Sequence, residues 1–231
     1  MPIPLNTIVL DLETAHSADD CRHCGRGEPV HTTWNYCPGL VDMVYAPIGW
    51  NDPWRLGLSI GCYFSYASGR THFFDQPTLL ETMKQFLLHN CWLVTFNGHQ
   101  FDLPLMLACV DEPLTPDGEP ATTLPAAWTG LAQRSYDLLA AIWAADPPRK
   151  FERGLNSLDA IAQANGLGAK LSHGAQAPRD WAAGRYADVL NYCADDVYKT
   201  KMLFEQIVEY GEILRGDGEP IALPAPAPET L

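Results

Sequence analysis

Ser68-Gly69 stands between two strand-like runs, Leu56 to Tyr66 and Thr71 to Phe74, and this arrangement limits what the rest of the chain can build. A small polar residue and a glycine between apolar and aromatic segments mark a turn, so the runs are expected to pair as an antiparallel hairpin. The next segment has another period. Pro77 stands where a helix opens, and Leu79, Leu80, Met83, Phe86 and Leu87 recur at the three- and four-residue spacing of one apolar helix face. Asn90 ends that helix, and Trp92 to Phe96 reads as a buried strand, as does Asn6 to Asp11 near the start. A hairpin followed by a helix and a further strand calls for a sheet of mixed direction covered by helices. The expected fold class is α/β, a mixed β-sheet flanked by helices.

The later half is helical in pattern. Helices are expected at Asp102 to Cys109, Tyr136 to Ala144, and Leu155 to Asn165, the last stopped by Gly166. A long one runs from Ala187 to Tyr210, with Leu190, Cys193, Val197, Thr200, Phe204 and Ile207 on one face. Asp111 to Gly130 carries four prolines and two glycines and reads as a surface loop. From Thr14 to Arg55 no period is visible, which is unusual in a compact domain, so a Cys/His-rich insertion is expected over about residues 15–55. With 231 residues, 47% of them apolar, the chain can bury one core. The expected organisation is a single domain over residues 1–214 and a flexible Ala/Pro tail over 215–231.

Charge narrows the function classes. Fifteen Lys and Arg against 28 Asp and Glu give −13, which repels polyanions unless cations or a local basic strip intervene. The longest strictly apolar run, Leu103 to Val110, is eight residues, far short of the roughly 20 of a membrane helix. Met1 to Leu10 lacks Lys and Arg and does not read as a secretory signal. Seven cysteines, an odd number, then favour reduced thiols and a cytoplasmic protein.

Three short segments carry candidate chemistry. Asp11 and Glu13 end the first strand, and alternation puts both on one face with Leu12 pointing the other way. Two carboxylates that close repel unless a cation lies between them, and a hard divalent ion is the natural occupant. Taken alone, Asp-x-Glu is common and reads as a solvated strand end. Asp102 follows Asn97-Gly98 and opens a helix, where a carboxylate by itself reads as a cap. Tyr192 and Asp196 are four apart on the long helix and share a face, which alone is an ordinary polar surface.

In this order the three segments resemble the DEDD family of 3′–5′ exonucleases, in its tyrosine subclass, on a ribonuclease H-like fold. Phe96-Asn97-Gly98-His99-Gln100-Phe101-Asp102-Leu103-Pro104 is similar to that family's second motif nearly letter for letter. Ser157 to Ala162, Gly166 to Lys170 and Tyr192 to Val197 also resemble exonucleases related to polymerase proofreading domains. The resemblance covers residues 5–14 and 56–210 and leaves the insertion and the tail aside. It implies a two-metal site in which Asp11, Glu13, Asp102 and Asp196 hold two Mg²⁺ or Mn²⁺ ions. Tyr192, with an ordinary pKa of about 10, would orient the attacking water. The implied substrate is the 3′ end of single-stranded nucleic acid, DNA ahead of RNA, and the product a nucleoside 5′-monophosphate. The rivals are an exoribonuclease that trims RNA 3′ ends and a non-catalytic nucleic-acid- or protein-binding module.

Other residues are candidates of lower rank. Thr14, Asn97 and Phe101 lie beside the motif carboxylates and are candidate substrate contacts; His16 is either a contact to the terminal sugar or a solvent-facing loop residue. Between Asp146 and Arg185, six basic residues, among them Arg149, Lys150, Arg153 and Lys170, outnumber four acidic ones. That segment is either a phosphate-contacting strip or a solvated surface. Asp195 rivals Asp196 without the spacing to Tyr192, and Asp137 is expected to start a helix rather than bind metal. Cys21, Cys24, His31 and Cys37 could form a structural zinc site, but a loop of reduced thiols is the expectation from a single Cys-x-x-Cys pair. The aromatics Trp34, Tyr36, Trp50 and Trp54 are expected to anchor the insertion, with stacking on single-stranded bases as the alternative. Cys62, Cys91, Cys109 and Cys193 sit in apolar runs as core thiols.

Overall fold

The computed structural model describes residues 2–23, 46–51, 53–110, 130–131, 133–152, 154–169, 171 and 176–226. Five strands form one sheet in the order β3-β2-β1-β4-β5. They are β1 (Thr7–Thr14), β2 (Leu58–Ser65), β3 (Arg70–Phe74), β4 (Trp92–Thr95) and β5 (Ser135–Asp137). The hairpin expected at Ser68-Gly69 joins β2 to β3, and β2 also runs antiparallel to β1. Parallel pairing then takes over, β1 with β4 and β4 with β5. The fold is therefore α/β, with a mixed sheet.

Helices cover both faces. On one side lie α1 (Pro53–Leu56), α2 (Gln76–Leu88) and α3 (Asp102–Cys109). On the other lie α4 (Leu138–Ala145), α5 (Leu158–Ala164), α6 (Ala177–Ala182) and α7 (Tyr186–Tyr210). Strand β1 shows why the two layers separate cleanly. Ile8, Leu10 and Leu12 enter the core beneath α2 and α3, while Val9 enters the core beneath α7. Because side chains alternate along a strand, Asp11 and Glu13 leave β1 on the α7 side. From α7, Val189, Cys193, Val197, Leu203, Phe204 and Ile207 are all fully or almost fully buried. Each large apolar side chain so buried contributes about 1.5–3 kcal/mol, so α7 is fixed against the face that carries the two acids.

Several boundaries differ from the sequence expectation. Leu56 belongs to α1, and Gly57, at φ 61, breaks the chain before β2 begins at Leu58. Ser135 to Asp137 is a strand rather than the first turn of a helix, because pairing with β4 outweighs a pattern too short to read. Helix α6, with Pro178 in its first turn, has no apolar period long enough to announce it. Packing also continues past residue 214, where a flexible tail is expected. There β6 (Glu212–Leu214) pairs antiparallel with β7 (Pro220–Ala222). Ile213, Ile221 and Leu223 are buried against the α7 layer, and buried Arg215 forms an ion pair with Asp146. Isolated apolar residues between Pro and Gly give no periodic signal, so only the tertiary contacts reveal this hairpin.

Of the insertion, the two described ends are tied together by a bridge between Cys21 and Pro47. Cys24, His31 and Cys37 lie outside the described residues, so the zinc expectation does too; Cys21 is buried. The loop expected over 111–130 also lies almost wholly outside them. Among the described residues no helix is long and apolar enough to cross a membrane.

Candidate active site

Asp11 and Glu13 come from the end of β1, where the pairing with β2 is interrupted between Glu13 and Thr14. Glu13 is buried, and its backbone carbonyl accepts a hydrogen bond from the Ser59 hydroxyl at 2.9 Å. Beneath Asp11 lies Cys193 of α7, whose thiol donates to the Asp11 carbonyl at 3.4 Å and sits 3.7 Å from Asp11 Oδ2. Ligand atoms of Asp11, Glu13 and Cys193 all fall within 4.8 Å of one another. A hard divalent ion prefers the oxygens of this group, which leaves the thiol as a hydrogen-bond donor.

Asp102 reaches the same place from the opposite layer. Strand β4 stops pairing with β1 at Val94, so the Leu12 amide is left for another acceptor. The Asp102 carboxyl takes it, together with its own backbone amide. The residue is thus the first of α3 but bridges to β1, and the capping reading is replaced. Its Oδ1 is buried with no hydrogen-bond partner. Burial first, then the negative charges of Asp137 and Asp196, push its carboxyl up to about 8.

A tight turn between β4 and α3 makes this reach possible. Asn97 adopts φ 69, a left-handed conformation that Asn tolerates better than most residues. At Gly98, a Cβ would lie 2.3 Å from Thr95 Oγ1, so no larger residue fits without moving β4. Asp137 locks the turn. One oxygen accepts the Asn97 amide at 2.9 Å, and the other accepts the His99 amide at 2.9 Å. The first oxygen also caps α4 through the Leu139 and Ala140 amides. Asp137 is therefore the helix-start residue that the sequence suggests, and it also holds the turn that carries Asp102.

Tyr192 and Asp196, one turn apart on α7, complete the group, and the tyrosine hydroxyl donates to the Asp196 carboxylate. Both side chains are buried. Burial, followed by the charges of Asp196, Glu13 and Asp11, raises the phenol far above its usual range, so it remains a donor at any ordinary pH. Asp195 points elsewhere. It pairs with buried Lys199, whose ammonium also donates to the Ala169 carbonyl at 2.9 Å and so ties the α5–α6 connection to α7.

Asp11, Glu13, Asp102, Tyr192 and Asp196 all line one cleft of about 400 Å³. Of the candidate substrate contacts, Thr14, Asn97 and Phe101 line it as well. Among the described residues, His16, Arg149 and Lys150 do not. His16 sits beyond the end of β1 with Nδ1 3.8 Å from Asp20 Oδ2. Arg149 is engaged by Glu152 at 2.6 Å and Asp217 at 2.7 Å, and Lys150 lies 4.5 Å from the Trp143 ring centroid. Both follow the far end of α4, which at eight residues is about 12 Å long. Arg153 and Lys170 lie outside the described residues. The cleft also gains Trp50, Asn51 and Gln100. Gln100 stands within Phe96 to Pro104, and Trp50 is one of the insertion aromatics for which base stacking is the alternative expectation, whereas Asn51 comes from a stretch without any period, where sequence offers no signal for its placement.

Carboxyls gathered in a partly dry cleft repel one another, and the proton retained by Asp102 is one way of relieving that repulsion. A divalent cation is the other. The donors are oxygens, and buried Asp102 Oδ1 lacks a partner, so the residues present fit hard cations. No protein-family model and no curated protein matches the chain, so the function of this cleft must be read from its own side chains.

Proposed function

We propose that the protein is a metal-dependent 3′–5′ exonuclease of the DEDD type, tyrosine subclass, on a ribonuclease H-like fold. The observation that carries this reading is the meeting of Asp11, Glu13, Asp102, Tyr192 and Asp196 in one cleft from three distant segments of chain. The order of the sheet, with an antiparallel hairpin on one side of β1 and parallel strands on the other, supports the fold assignment. Buried thiols at Cys62, Cys91 and Cys193 favour a reducing, cytoplasmic setting.

Asp11, Glu13, Asp102 and Asp196 would hold two Mg²⁺ or Mn²⁺ ions. When bound, these supply the positive charge that makes water nucleophilic near neutral pH and stabilises the departing oxygen. The chain's own residues supply geometry. The Tyr192 hydroxyl, its proton committed to Asp196, keeps an oxygen lone pair with which to receive a hydrogen bond from the attacking water and aim it. Side-chain amides of Asn97 and Gln100 are available to the terminal nucleotide. Water adds to the terminal phosphorus, the bond to the preceding 3′ oxygen breaks, and that oxygen takes a proton. The products are a nucleoside 5′-monophosphate and a strand one residue shorter. The cleft size favours a single splayed nucleotide over a base pair, hence single-stranded ends, with DNA as the expected substrate.

The test is incubation of purified protein with 5′- and 3′-labelled DNA and RNA oligonucleotides in Mg²⁺, Mn²⁺ or chelator. Stepwise shortening from the 3′ end that needs the cation supports the reading, and faster loss from RNA would make it an exoribonuclease. Intact oligonucleotides under every condition would refute it.

A further inference from the structure

Trp50 is 60% exposed, contrary to the expectation that it anchors the insertion. A single exposed tryptophan is ordinary on a protein surface; its support and its position are not. Three backbone hydrogen bonds, each 2.8 Å, tie residues 46–49 to residues 18–22: Arg22 to Ala46, Ile48 to Asp20, and Gly49 to Ala18. The Arg22 guanidinium adds a bond to the Pro47 carbonyl at 3.0 Å. Ile48 and Ala18 are buried in the core beneath α2 and α3. Gly49, at φ 76, then turns the chain, a conformation that costs glycine nothing. This braced ribbon sets the indole on the rim of the acidic cleft, with its ring centroid 6.0 Å from that of Phe101 at an interplanar angle of 63°.

We infer that Trp50 and Phe101 form a nucleobase subsite, in which the unpaired terminal base of the substrate stacks while its phosphodiester lies over the carboxylates. The inference rests on the exonuclease reading and adds to it that a residue of the insertion, outside the region of family resemblance, selects the end to be cut. Three features point to a base. The wall is aromatic and accepts any base by its π face. It opens into the same cleft as the acids. A volume of about 400 Å³ suits one nucleotide, within the roughly 300–1,000 Å³ typical of small-molecule sites.

The test is a cycle between Trp50 and the base. Trp50→Ala should raise KM for single-stranded DNA by roughly 5- to 150-fold, the usual effect of removing one stacking aromatic, with kcat changed little. Trp50→Phe should restore most of the loss, whereas Trp50→Leu, apolar but without a π face, should not. An oligonucleotide whose terminal residue lacks its base should lose a similar factor with the wild-type protein and nothing further with Trp50→Ala. Equal effects of Trp50→Ala on normal and abasic ends, or an unchanged KM, would overturn the subsite while leaving the exonuclease reading intact. A wild-type protein that releases no nucleotide would instead overturn the exonuclease reading, and the subsite with it.

Discussion

Replacing Asp137 by alanine separates the scaffold of the cleft from its chemistry. The side chain is 2% exposed and accepts four backbone amides, those of Asn97, His99, Leu139 and Ala140. Losing a helix cap costs about 0.5–2 kcal/mol, and leaving the amides of Asn97 and His99 unpaired costs about 1–3 kcal/mol each. One effect opposes these. The Asp137 charge raises the Asp102 carboxyl, so removing it relieves repulsion. Four hydrogen bonds outweigh one partly compensated repulsion, and a net loss of about 2–5 kcal/mol remains. For a chain of this length that lowers the melting temperature by roughly 5 to 15 °C. Asp137→Asn, which keeps one acceptor oxygen, should fall between alanine and wild type. The assay is thermal unfolding in chelator and again with Mn²⁺. Because Asp137 does not line the cleft, the cation should stabilise wild type and variants by a similar increment. A Mn²⁺ effect lost in the variants would show that Asp137 also serves the cation, directly or through the turn that carries Asp102, and an alanine variant as stable as wild type would refute the reasoning outright.

Asp11→Ala or Asp196→Asn should abolish nucleotide release while leaving the circular dichroism spectrum intact; undiminished digestion by either pure variant would end the exonuclease assignment. Tyr192→Phe should lower turnover without changing the Mn²⁺ concentration for half-maximal activity, and a wild-type rate would remove the hydroxyl from the mechanism. Asp102 gives a pH signature. Its folded pKa, about 8, lies above the unfolded value of about 3.9, so its contribution to the stability of the cation-free protein is fully present below about pH 4 and is lost as pH rises toward 8. Asp102→Asn should flatten that decline in chelator and exceed wild type above pH 8, as read by denaturant unfolding; superimposable pH profiles would show that this carboxyl is not protonated in the fold.

Much of the architecture was legible because periodicity records which face of each element is buried. Alternation along β1 was enough to place Asp11 and Glu13 together, and the four-residue interval on α7 was enough to pair Tyr192 with Asp196. Asp102 was less legible. A carboxylate at the start of a helix reads as a cap, and only the early end of β4 pairing, which leaves the Leu12 amide open, turns it into a bridge to β1. Arg149 and Lys150 stay open between a phosphate strip and a solvated surface in the sequence, since local basic charge says nothing about the acidic and aromatic partners that occupy them.

The chain by itself determined the alternation of strands and helices, the faces they bury and the acids each face carries, because these depend on neighbours a few residues apart. The tertiary structure brings into one cleft the acids that family resemblance implies should meet, and it alone decided that Asp137 braces that cleft, that β6 and β7 close the fold past residue 214, and that Trp50 stands at the rim. Each of these depends on contacts between segments tens of residues apart, which a local pattern does not encode.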